Sequence, residues 1–75
     1  METIHVVQPF DRSSKGLVPG KVQQMKTPEE AARKAERMAS QYAGVTAYSM
    51  DIDEAAGFYS EPRILFTAGE VPELG

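Results

Sequence analysis

The chain has 75 residues, of which 41% are hydrophobic, and a formal net charge of −3 at pH 7. This length accommodates one small domain, expected over residues 1–75 with a frayed C-terminus, and the moderate charge favours a folded chain over a disordered one. With no cysteine and one histidine, the composition excludes disulfides, thiolate metal sites and His-based zinc clusters. Domains this small commonly need additional stabilisation, and oligomerisation is the means that this composition leaves.

The chain shows no pattern of export or membrane insertion. Its first residues lack the basic and apolar regions of a secretory signal. Its longest run of large apolar side chains is residues 64–66, whereas a membrane span needs roughly 18 or more. These patterns predict a cytoplasmic protein with no membrane association.

The first part of the chain predicts two strands. Residues 4–8 are short and β-branched and end at Pro9, which cannot donate to a ladder. Residues 11–16 have turn composition. Residues 17–26 resemble a second strand, but a Pro-Gly pair breaks its first half, so only residues 21–25 are expected to pair.

A helix is predicted to begin directly after Thr27. Thr27 is a suitable N-cap, Pro28 suits the first helical position, and Glu30 completes a capping box. Gly44 is expected to end the helix in a left-handed conformation. Glu29–Arg33 and Glu30–Lys34 are acid–base pairs at the spacing that stabilises a helix.

The apolar stripe of this helix predicts a sheet as its packing partner. The stripe consists of Ala31, Ala35, Met38, Ala39 and Tyr42. Two more strands are predicted at residues 45–52 and 63–67, separated by a turn at 53–57 and an interruption at 60–62. The resulting fold class is α+β: a small antiparallel sheet with one helix packed on one face, in the order β-β-α-β-β.

Several short motifs between residues 27 and 72 form a wider pattern. They are Pro28-Glu-Glu-Ala-Ala, Ala43-Gly-Val-Thr-Ala-Tyr-Ser, Pro62-Arg-Ile-Leu and the closing Gly69-Glu-Val-Pro. With these motifs the chain resembles a family of small bacterial proteins that have no assigned activity. The resemblance implies a compact α+β fold that forms dimers, and it supplies no catalytic residues.

No spacing in the chain predicts a catalytic, cofactor or metal site. An EF-hand loop that began at Asp51 would need glycine and glutamate where the chain has Ala56 and Pro62. Residues 16–21 lack the Walker spacing and its hydroxyl. His5 is the single histidine, and no serine stands in a nucleophile-elbow pattern. We therefore predict a protein that is not an enzyme.

The charge distribution argues against nucleic-acid binding. The pI is about 5.0, whereas nucleic-acid-binding domains are usually basic. Residues 1–26 carry four bases and two acids, and residues 45–75 carry one base and six acids. This asymmetry either favours antiparallel contact between copies or distributes solvating charge.

Both faces of the predicted sheet are apolar. The third strand carries Val45 and Ala47 on one side and Tyr48, Met50 and Ile52 on the other. One helix covers one face, so a second copy is expected to cover the other, with Tyr48, Met50 and Ile52 at the dimer interface. Strict alternation would place the side chains of residues 64 and 66 on one side of the fourth strand and residue 65 on the other.

Two functions fit these expectations. The first is a non-enzymatic interaction or regulatory module that acts as a homodimer and binds an unidentified protein partner. The alternative is a small-ligand carrier or sensor that holds an apolar or aromatic molecule in the dimer cleft.

Overall fold

The computed structural model describes residues 2–71, which form six strands and one helix. The elements are β1 (Glu2–Ser13), β2 (Gly16–Pro19), β3 (Gln23–Met25), α1 (Pro28–Met38), β4 (Gly44–Asp53), β5 (Phe58–Tyr59) and β6 (Arg63–Gly69). The predicted α+β class is confirmed. The predicted order of four strands is replaced by six. Residues 16–19, which are not expected to pair, form β2 against β1, and residues 58–59, which precede the predicted interruption, form β5 against β4. The expected fraying falls on residues outside the described range.

The two long strands β1 and β4 form the centre of one antiparallel sheet. They pair continuously from Glu2 opposite Ile52 to Phe10 opposite Gly44. On the outer side of β1 lie β3 and then β2, and on the outer side of β4 lie β6 and β5. The sheet is therefore four strands wide, with both outer strands interrupted.

Pro9 lies inside the central strand β1, where the sequence predicts a strand end. It is fully buried and pairs with Val45 of β4. Its carbonyl oxygen accepts a hydrogen bond of 2.9 Å from the amide of Gly20. Because the nitrogen and carbonyl of one strand residue point to the same side, the missing N–H of Pro9 faces the gap between β2 and β3. No ladder hydrogen bond is lost there.

The predicted start of the helix is confirmed. The Thr27 side chain accepts a hydrogen bond of 3.1 Å from the backbone N–H of Glu30, and Pro28 opens the helix. Within residues 2–71 the ion pairs are Arg12–Glu70 and Arg63–Asp51, so the expected acid–base pairs along the helix do not form.

The helix ends earlier than predicted. Met38 is its last residue, and the cap Ala39 keeps a right-handed conformation. Gly44 does not have a positive φ and instead begins β4. Glycine is required there for space, because a β-carbon would overlap the backbone carbonyl of Glu70.

The core lies between α1 and one face of the sheet. The helix contributes Ala31, Ala35 and Met38, and the strands contribute Val7, Val45 and Ala47. Five of these six side chains have no exposed surface, and Met38 is 6% exposed. The small helical residues allow α1 to lie close to the sheet, where it contacts β1, β3, β4 and β6.

A β-bulge changes which side chains of β6 face the helix. Ala47 pairs with Phe66 and Tyr48 pairs with Ile64, so Leu65 is an extra residue without a partner on β4. Leu65 and Phe66 both pack against the helix-side core. Ile64 therefore lies on the opposite face beside Tyr48, and the strict alternation expected for this strand is wrong.

Candidate functional site

The two central strands present a second apolar surface on the side opposite α1. Strand residues alternate between faces, so the even-numbered residues of β1 and β4 point away from the helix-packed Val7, Val45 and Ala47. On the same side, β5 adds Tyr59, which pairs with Ile52, and β6 adds Ile64, which pairs with Tyr48. We name this surface the helix-free face and define it as Ile4, Val6, Tyr48, Met50, Ile52, Tyr59 and Ile64.

The residues of the helix-free face are direct cross-strand neighbours. Met50 is opposite Ile4, and Tyr48 lies between Val6 on one side and Ile64 on the other. Tyr48, Met50 and Ile52, which the sequence places at a dimer interface, are half-buried. Ile64 is 51% exposed, so the patch reaches solvent at its β6 edge. The seven side chains are contiguous, but Val6 is only 4% exposed, so the accessible part of the helix-free face is formed by Tyr59, Ile64 and the half-buried residues around them.

Charged side chains are absent from the centre of this side of the described sheet. On β1 the residues facing this way from 4 to 10 are Ile, Val, Gln and Phe, and on β4 those from 44 to 52 are Gly, Thr, Tyr, Met and Ile. The nearest charged residues on the same face of β1 are Glu2 and Arg12, at its two ends. Depletion of charge at the centre and its presence at the rim is the composition of a protein–protein interface.

The helix side of the sheet carries a polar cluster beyond the core. His5 Nδ1 lies 2.7 Å from Ser49 Oγ, and the two residues are partners across β1 and β4. Arg63 donates two hydrogen bonds, of 3.2 and 3.3 Å, to the carboxylate of Asp51. The Thr3 hydroxyl donates a third to the same carboxylate at 2.7 Å.

The electrostatics of this cluster are fixed by Arg63. The hydrogen bonds from Arg63 are the main cause that lowers the pKa of Asp51 below its usual range, and the hydrogen bond from Thr3 is the second. The backbone N–H of Asp51 in turn donates to Ser60 Oγ at 2.8 Å, which ties β4 to the segment between β5 and β6. The Asp51 carboxylate itself links β4 to β1 through Thr3 and to β6 through Arg63.

The geometry of His5 and Ser49 does not suit nucleophilic catalysis. Ser49 is only 4% exposed, so a substrate would not reach its hydroxyl. No carboxylate among residues 2–71 hydrogen-bonds to His5, so the imidazole lacks an orienting group. The contact satisfies one polar group of each residue between the two central strands.

Two further features of the described residues bear on function. Among residues 2–71, no three side chains of the ligating types are grouped so that they could hold a metal ion. The helix of this part of the chain is too short and too polar to cross a membrane.

Sequence reasoning missed the contributions of paired strands. It placed Tyr48, Met50 and Ile52 together but did not include Tyr59 or Ile64, because β5 and the bulge were not anticipated. Tyr59 and Ile64 join the face only through the pairing of β5 and β6 with β4, for which the residues around them carry no signal.

Comparison of the chain with models of protein families, with curated proteins and with solved structures finds no match.

Proposed function

We propose that the protein is a non-enzymatic interaction module that acts as a homodimer, with the helix-free face as the interface and Tyr48, Met50 and Ile52 at its centre. The observation that carries this proposal is the uncharged apolar ladder across β1, β4 and β6. Tyr59 and Ile64 are 62% and 51% exposed at the edge of this ladder, and exposed apolar residues that adjoin one another mark interaction sites. A second copy related by a two-fold axis covers this ladder with an identical surface.

The surface of one chain is large enough for an interface of the usual size. A specific interface buries about 800 Å² on each partner. The chain exposes 5000 Å² in total, so such an interface would occupy about one sixth of its surface. Tyr48, Tyr59 and Met50 are of the residue types enriched in interface centres.

The non-enzymatic part of the proposal is supported by the side chains that might otherwise do chemistry. Asp51 is held by Arg63 and Thr3, and Ser49 is buried beside His5. These groups stabilise the sheet, and their hydrogen bonds leave no base aimed at an accessible nucleophile.

Light scattering coupled to size-exclusion chromatography tests the proposal. At micromolar concentration we expect twice the mass of one chain. A mass of one chain together with a cooperative thermal transition would contradict the homodimer. Native mass spectrometry of the same sample adds a check, since a stoichiometric small molecule bound to the dimer would favour the ligand-carrier alternative.

A further inference from the structure

An open groove of about 250 Å³ lies between α1 and β3, away from the helix-free face, and Glu30, Arg33 and Arg37 in its lining are exposed. It is lined by Met25, Glu30, Arg33, Lys34 and Arg37. Met25 is half-buried at the edge of the core. The other four residues follow one another along one flank of α1, next to the stripe that packs on the sheet. We name it the α1–β3 groove.

The residues that line the α1–β3 groove carry a net positive charge, although α1 as a whole has three acids and three bases. Three bases and one carboxylate line it, which leaves an excess of two positive charges. The ion pairs formed by residues 2–71 are elsewhere, and no described acid lies within 4.0 Å of the charged atoms of Arg33, Lys34 or Arg37. Arg33 and Arg37 are four residues apart on the helix, a spacing at which like charges repel.

We propose that the α1–β3 groove binds a small dianion that carries an apolar group, either a phosphomonoester or a dicarboxylate. Two guanidinium groups supply the planar pairs of donors that match phosphate and carboxylate oxygens, and Lys34 adds a point charge. The thioether side chain of Met25 provides an adaptable apolar wall for the carbon part of the ligand. A bound dianion balances the two excess charges and removes the repulsion between the arginines.

The size of the groove and the charge of the whole protein favour a small anion over a polymer. Ligand cavities usually measure about 300–1,000 Å³, so a groove of 250 Å³ suits a compact molecule. A nucleic acid would also meet the acidic remainder of the surface, since residues 45–75 carry six acids and one base.

NMR titration of the full chain, labelled with 15N and with 13C at the methionine methyl groups, tests this proposal. The probes are phenyl phosphate and phthalate, with sodium chloride at matched ionic strength as the reference. We expect saturable shifts for the amides of residues 30–37 and for the Met25 methyl group with at least one of the two probes. Tighter binding of phenyl phosphate would identify a phosphomonoester site, and tighter binding of phthalate a dicarboxylate site.

Matched variants separate a specific site from general attraction between charges. Arg33→Gln combined with Arg37→Gln is expected to weaken binding at least tenfold. Lys15→Gln combined with Lys21→Gln removes the same charge outside the groove and is expected to leave binding within about twofold. The proposal would be overturned by equal loss in both double variants, or by shifts that sodium chloride reproduces.

Discussion

Gly44 of β4 and Gly69 of β6 are partners across the sheet, and a β-carbon on either one would overlap the backbone of the opposite strand. The β-carbon of residue 44 would meet the carbonyl of Glu70, and that of residue 69 would meet the carbonyl of Ala43. The amide of Glu70 also donates to Ala43 at 2.9 Å. The two glycines thus allow β6 to approach the start of β4.

Gly44→Ala is expected to lower the free energy of unfolding by about 1–3 kcal/mol or more, because the strands must separate to admit the methyl group. Urea denaturation followed by circular dichroism measures the loss. Gly57→Asn is the control, since residue 57 has a positive φ of 67° with open space around it, and asparagine tolerates that conformation. Equal stability of Gly44→Ala and the wild type would show that the strands have room to move.

Thr27→Ala is expected to destabilise the protein by about 0.5–2 kcal/mol, because the N–H of Glu30 loses its acceptor. For a domain of this size, each kcal/mol lowers the melting temperature by roughly 4–8 °C. Differential scanning calorimetry measures the change. Thr27→Ser retains the hydroxyl and should remain close to the wild type, and a Thr27→Ala melting temperature at the wild-type value would contradict the capping role.

The Asp51 carboxylate predicts a pH dependence of stability. Its pKa is lower in the folded than in the unfolded chain, so its contribution is fully present above about pH 4 and is lost as the pH falls below that value. Asp51→Asn removes this dependence. Between pH 7 and pH 2.5, the urea midpoint of Asp51→Asn should therefore fall less than that of the wild type.

Glu54→Gln is the matched control for this measurement, because the exposed Glu54 side chain makes no described hydrogen bond or ion pair. Arg63→Gln removes the main partner of Asp51 and should reduce the acid dependence in the same direction. An acid-induced loss of stability in Asp51→Asn as large as in the wild type would contradict the prediction.

Met50→Asp is expected to dissociate the proposed dimer, raising the dissociation constant at least tenfold, because a carboxylate would be buried in an apolar interface. Analytical ultracentrifugation measures the constant, and circular dichroism reports whether α1 persists. Val22→Asp is the control, since Val22 is 49% exposed and lies outside the helix-free face.

Ile64→Asp provides an independent test of the same interface. Ile64 is already 51% exposed, so an aspartate there is tolerated by a single folded chain even if Met50→Asp unfolds. A dimer that survives Ile64→Asp with an unchanged dissociation constant would place the interface elsewhere.

Local signals in the sequence were sufficient for the start of the helix and for the fold class. Thr27, Pro28 and Glu30 act within one turn, so their pattern predicts the observed cap. The predicted helix end is wrong because Gly44 has another role. It lets β6 lie close to β4, where it meets the carbonyl of Glu70, 26 residues later in the chain.

The remaining differences also depend on pairing between distant segments. Pro9 is tolerated inside β1 because its nitrogen faces an interruption of the neighbouring strand, which the residues around Pro9 do not reveal. The bulge at Leu65 exists only relative to β4, and it reverses the face of Ile64. The α1–β3 groove depends on where the helix lies against β3.

Both outer strands of the sheet are interrupted, which limits the pairing of further chains at its edges. A long, unbroken sheet edge offers unpaired N–H and C=O groups to other chains. Here one edge is divided into segments of four and three residues by the gap opposite Pro9, and the other is divided before Arg63, at Pro62. The bulge at Leu65 twists the longest remaining segment, β6. Uncontrolled growth of the sheet by strand addition is thereby disfavoured at each side.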